Sequence, residues 1–189
     1  MDLEELIKQN DVKDFSQSRQ RFMDETNHQD LLVIVLRAHI YIEQELYLLI
    51  NKCMKYPEKL NVRYLSDKLK LAYSLGLIEQ GLFSSIMKLN DFRNKYAHQL
   101  DFNFTEKELN EIVSPLSKEE KTELEKDYAF YGLGTSDDFI TKVRITLSFI
   151  YLSIKLNNLT LHLRMEELLI EHKSIETDRR ITIIKSQQI

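Results

Sequence analysis

Cysteine occurs once in this chain of 189 residues, proline twice and glycine four times. The lone Cys53 excludes an internal disulfide framework and any multi-cysteine metal site. As a single thiol it reads as a small core residue. Glycine and proline are too scarce to punctuate many short strands, so a sheet-rich fold is not expected. No run of about eighteen apolar residues occurs, and no transmembrane helix is expected. The opening stretch MDLEELIKQND is acidic and has no apolar core. It does not resemble a secretory signal, and a cytoplasmic protein is expected. A glycine-rich phosphate loop, an HExxH pair, zinc-finger spacing and an aromatic RNA-binding signature are all missing. Neither a cofactor nor a metal ion is expected.

Leucine, isoleucine, lysine and glutamate dominate, which points to an all-α protein. The length suits one domain with a sizeable core. The net charge of −4 argues against a general nucleic-acid binder, but its distribution is uneven. Residues 51–100 hold 9 basic against 4 acidic side chains, and residues 101–140 hold 4 against 11. Local charge steers a phosphate ligand more than the total does. Two differently decorated solvated faces explain the asymmetry equally simply.

Residues 3–20 read as a charged opening helix, within a peripheral N-terminal segment of residues 1–28. QDLLVIVLRAHIYIEQELYLLINKCM at 29–54 reads as a long helix, apolar around nearly its whole cylinder and therefore central. Pro57 ends it. Ser66 is expected to open a short helix that Gly76 closes, and a further helix runs from about Glu79 through His98. DFNF at 101–104 looks extended, and Thr105 with Glu108 forms a capping box. Residues 114–127 are acidic, either a solvated helix or a cover for a basic groove. YGLGTSDD at 131–138 is a loop in which Thr135 or Ser136 caps a second long helix, 138–172. A polar tail follows from 173 to 189, either disordered or docked on a partner chain. The expected architecture is a single up-and-down helical bundle over residues 1–172.

The stretch DFRNKYAH at 91–98 is the candidate site, to be read either as chemistry or as a helix terminus. At 100° per residue, Leu82, Ile86, Leu89 and Tyr96 form one stripe, and Arg93 falls about 20° from its centre. Asp91, Lys95 and His98 lie opposite, with Asn94 one turn before His98. An arginine aimed at a core needs a carboxylate. Glu43, one turn after His39 on the long helix, is the expected partner, while Arg37 and Glu45 point elsewhere. Two readings follow. Arg93 and Glu43 lock two helices while His98 and Asn94 complement a helix C-terminus. Or His98 is a general acid or base and Arg93 stabilises a phosphorane-like transition state on RNA, whose 2′-hydroxyl is a built-in nucleophile. A two-fold dimer would then bring two copies of this sparse site together. His162 and Glu166 are one helical turn apart and read as a surface pair. Neither they nor His28 and His172 cluster at ligand spacing.

RNKYAH at 93–98 resembles the Arg, four to six residues, His motif of the HEPN superfamily, in the form with Asn directly after Arg. LRAHIYIEQELYLLI at 36–50 is similar to that superfamily's preceding long helix. DKLKLAYSLGLI at 67–78, FNFTEKELNEIV at 102–113 and FITKVRITLSFIYLSIKL at 139–156 resemble the branch that includes the mannitol operon repressor family (MltR). The likeness spans roughly residues 30–160. It implies an all-α bundle that dimerises through the motif helix. It also implies, for Arg93, Asn94 and His98, a composite site across the dimer in a metal-independent ribonuclease or RNA-binding protein of toxin, phage-defence or RNA-processing systems. The closer branch implies instead a non-catalytic transcriptional regulator acting through protein partners. One toxin subgroup carries a tyrosine two residues after the His that its antitoxin modifies. Leu100 stands there in this chain, so an antitoxin partner using that route is not expected.

Overall fold

The computed structural model describes residues 3–133 and 138–161, with side chains described from residue 11 onward. The chain divides into two compact units, residues 1–158 and 159–189. Of the second, only residues 159–161 are described, as helical. The cap at Thr135 or Ser136, the His162–Glu166 pair, His172 and the tail 173–189 lie outside the described residues.

Seven α-helices and one 3-10 turn build the first unit, and no strand occurs among the described residues. They are α1 (Leu3–Glu25), α2 (Leu31–Lys52), the turn Pro57–Lys59, α3 (Leu65–Ser74), α4 (Gln80–His98), α5 (Glu106–Val113), α6 (Lys118–Phe130) and α7, helical from residue 139 to the end of the unit. The protein is an all-α helical bundle, as its composition implies. α2 packs on α1, α3 and α4, while α4 also packs on α3 and α5.

Local chemistry sets most of the boundaries. The Asp30 side chain accepts from Leu32 N–H and caps α2. α2 ends at Lys52 with Cys53 as its C-cap, and Pro57 opens the 3-10 turn that follows. Gly76 takes a φ of 68° after α3, a left-handed conformation that side chains with a Cβ resist. The Thr105–Glu108 capping box forms as its spacing predicts. Ser117 and Glu120 build a second one at the start of α6. α3 differs from expectation in its first turn: Tyr64, not Ser66, holds the N-cap position, and no side chain caps it.

The centre of the unit is a ring cluster. Phe22 of α1, Tyr41 of α2 and Tyr151 of α7 lie 5.2 Å apart, centroid to centroid, with Phe22 and Tyr151 stacked. Burial beside Glu25 pushes the Tyr41 phenol up to about 12. Ile34, Ile42, Leu46 and Leu49 of α2 are fully buried, as are Ile86 and Leu89 of α4. Each such side chain contributes roughly 1.5–3 kcal/mol on leaving water. α2 is central as expected, but not enclosed: Ile40, Tyr47 and Leu48 remain exposed along one side.

Glu45 points elsewhere than Glu43 on α2, as its spacing predicts, and it faces α7. Glu45 is buried, accepting from Asn158 Nδ2 at 2.6 Å, with Lys155 Nζ at 4.0 Å. α7 supplies both partners, so this carboxylate is paired rather than stranded. Lys52 Nζ closes the network by donating to Asn158 O at 3.1 Å.

Candidate functional site

The motif occupies the last two turns of α4, and a second aromatic cluster fixes those turns. Phe92 is buried. The segment after the helix folds back so that Phe102 meets Phe92 (6.1 Å) and Tyr96 (4.8 Å), and Phe104 meets Phe92 edge-on at 5.6 Å. Burial pushes the Tyr96 phenol up, opposed by its hydrogen bond to the Phe104 backbone. Lys95 covers the rings of Phe92 and Phe102 with its ammonium 5.0 and 5.6 Å from their centroids. DFNF therefore straps the end of α4 by its two phenylalanines. Tyr96, inside the motif, is an anchor rather than a reactive group.

Gln99 ends the helix in an extended conformation, its N–H donating to Lys95 O. His98 is the final helical residue and is exposed, as are Asn94 and Asp91. Lys95 and His98 place basic groups where the negative end of the helix dipole favours them. Arg93 is half-buried. Its Nη1 donates to Asn94 Oδ1 at 3.2 Å.

Glu43 is not held by Arg93. Its carboxylate accepts from Lys68 Nζ at 2.7 Å, with His39 Nδ1 at 3.9 Å. Lys68 of α3 reaches Glu43 first, and Arg93 is left without a carboxylate partner among the described residues. Arg93 and Glu43 nonetheless line the same cleft, of about 280 Å³, with His39, Arg63, Tyr64, Ser66, Asn90 and Asn94 on its walls. His39 Nε2–H donates to Asn90 Oδ1 at 3.3 Å. Burial lowers the His39 pKa, and the Arg93 and Lys68 charges add to that, against the hydrogen bond to Asn90 and the Glu43 carboxylate.

A second cleft, of about 400 Å³, opens on the other side of the helix end, between α4 and α5. His98, Lys95, Asp91 and Lys88 line it with Glu111 opposite. Lys88 Nζ lies 3.4 Å from the Glu111 carboxylate. Asn94 borders both clefts. Within one chain, then, Arg93 and His98 serve separate clefts with Asn94 on the ridge between them. The two clefts differ in charge. Around Arg93, the Glu43–Lys68 pair cancels and two guanidiniums are left over. Around His98, Lys88 and Lys95 balance Asp91 and Glu111.

Arg63, Tyr64, Lys68 and Asn90 are site residues that sequence reasoning missed. Asn90 is one turn before Asn94, which is a legible signal. Arg63 and Tyr64 come from the connection between the 3-10 turn and α3, and no local pattern ties them to α4. α6 lines neither cleft; Leu124 is its one buried residue, so the acidic segment is a solvated helix. Cys53, at the end of α2, is half-buried, and that burial pushes its thiol up, away from reactivity. Among the described residues, no three His, Cys, Asp or Glu side chains form a group able to hold a metal ion, and no helix is long and apolar enough to cross a membrane.

In comparisons with known proteins, no family model, no curated protein and no solved structure matches this chain.

Proposed function

We propose that this chain is a HEPN-like endoribonuclease that works without a metal ion, as a homodimer whose paired α4 ends assemble the active site. The observation that carries this reading is the state of the motif side chains at the end of α4. His98 is solvent-facing, Arg93 has no carboxylate partner, and Asn94 holds the guanidinium from the ridge between them. An arginine kept only to lock helices would be expected to hold Glu43, which Lys68 occupies.

In this reading the 2′-oxygen of RNA attacks the adjacent phosphorus. The bond to the 5′-oxygen breaks, leaving a 2′,3′-cyclic phosphate and a 5′-hydroxyl. His98 of one copy accepts the 2′-hydroxyl proton, and the imidazolium so formed donates that proton to the departing 5′-oxygen. Arg93 offsets the charge that grows on the phosphorane oxygens. Asn94 is a positioning residue for that guanidinium. The reading belongs to toxin or phage-defence chemistry, where an antitoxin or other protein would restrain the activity.

The test is cleavage of mixed single-stranded and structured RNA in EDTA, comparing the wild type with His98→Ala. The expected result is cleavage by the wild type to cyclic-phosphate ends, and none by a variant whose helical circular dichroism is unchanged. Intact RNA at micromolar wild-type protein would overturn the proposal. A second reading, a non-catalytic MltR-like transcriptional regulator acting through protein partners, is favoured by one observation: Arg93 and His98 open into different clefts of the same chain. That reading expects His98 to be replaceable.

A further inference from the structure

We infer that the Arg93 cleft is a binding subsite for single-stranded RNA, in which Arg63 and Arg93 hold neighbouring phosphates and Tyr64 stacks a flanking base. This deepens the nuclease reading and rests on it for the identity of the ligand. The cleft is about 280 Å³. That is below the usual range for enclosing a whole small molecule, and it suits a stretch of sugar–phosphate whose base lies outside. Its charge favours an anion. Among the described residues Glu43 is the only carboxylate on its walls, and it is paired with Lys68 at 2.7 Å. Neither Arg63 nor Arg93 has an ion-pair partner among the described residues. Asn90 and Asn94 add amide groups to its lining beside the two guanidiniums.

The second observation is Tyr64. It lines the cleft, yet the residue is 71% exposed, the highest value of any tyrosine described. It holds the N-cap position of α3 without capping it. A tyrosine at the mouth of a cationic cleft presents an open aromatic face, and a base stacks on such a face only when it is unpaired. Double-stranded RNA keeps its bases inside the duplex and cannot use it. The cleft around His98 carries balanced charges and no exposed ring of this kind, so strand binding is assigned to the Arg93 side.

The experiment uses the full chain and a fluorescent 2′-O-methyl RNA decamer, which lacks the 2′-hydroxyl nucleophile and stays uncut. Fluorescence anisotropy then gives affinity as a function of salt. The expected result is binding of the single strand in preference to the matching duplex. Tyr64→Ala weakens it about fivefold or more, the lower end of what stacking one base contributes. Tyr64→Phe keeps the wild-type affinity. Arg63→Ala weakens binding and reduces the slope of log affinity against log salt by about 0.7, the value for one phosphate on a single strand. Lys118→Ala, on α6, changes neither. Equal binding of duplex and single strand, wild-type affinity in Tyr64→Ala, or no binding by the wild type would each overturn the subsite. Cleavage of ordinary RNA that survives both substitutions would remove the subsite and keep the nuclease. Binding that depends on Tyr64 and Arg63 without any cleavage would keep the subsite and remove the nuclease.

Discussion

His39 gives the fold a pH dependence. Its folded-state pKa is lowered, first by burial and then by the Arg93 and Lys68 charges. Well above the ordinary histidine value of about 6.5, both the folded and the unfolded imidazole are neutral, and its contribution to stability is complete. As pH falls through that value, the unfolded chain takes up a proton before the folded one does. Stability is therefore lost until the folded His39 is protonated as well. The wild-type melting temperature should fall faster than that of His39→Gln between about pH 7 and pH 5. Parallel curves would show that His39 does not couple to folding. The neighbouring carboxylates show why a residue's surroundings were only partly legible. α2 is apolar around most of its circumference, so periodicity names no single inner face. Glu43 drew attention because it follows His39 by one turn. Glu45 is the one enclosed, since it shares a face with Ile42 and Leu49 and meets Asn158 and Lys155 of α7. Nothing local in α2 announces partners more than a hundred residues away.

At the scale of elements, α4 begins where glycine is indispensable. A Cβ on Gly81 would lie 2.9 Å from Pro115 O and 3.3 Å from Leu116 Cα, both backbone atoms of the connection between α5 and α6. Helix propensity alone predicts that Gly81→Ala stabilises α4 by about 1 kcal/mol. The contact predicts the reverse, because a backbone carbonyl cannot rotate aside as a long side chain can. The expected result is a loss of about 1–3 kcal/mol, the usual cost of overpacking, read from urea unfolding with an unchanged slope. A gain would mean that the α5–α6 connection moves freely off α4. Boundaries governed by local chemistry were legible: Pro57, Gly76, and the box of Thr105 and Glu108 fall where the structure has them. α6 was legible only as an acidic segment. It buries Leu124 alone, which leaves almost no apolar period to read. Arg63 and Tyr64 were not legible as site residues because the fold, not a motif, brings their connection to the end of α4.

At the scale of the molecule, the separation of Arg93 and His98 into two clefts makes a second copy decisive for the proposed ribonuclease site. A single chain presents the guanidinium on one side of the α4 end and the imidazole on the other. Two copies related by a two-fold axis along that end would face each other's Arg93 and His98 across one opening. The motif was visible in the sequence as an arginine and a histidine on opposite faces of one helix, but spacing within a chain cannot say which copy completes the site. Mixing separates the possibilities. Arg93→Ala and His98→Ala should each be inactive alone. If the site is shared, unfolding and refolding them together should restore cleavage, because about half of the dimers then pair unlike chains and each retains one arginine and one histidine. The recovered activity should rise with total protein concentration as the dimer forms, and sedimentation should show the same midpoint. If the chemistry instead requires two intact motifs, the mixture stays as inactive as its components while the dimer still forms. If one chain suffices, wild-type activity per chain will not change on dilution below the dimer midpoint. In that case the two clefts act independently, and the ridge at Asn94 becomes the place to look for how the substrate bends between them.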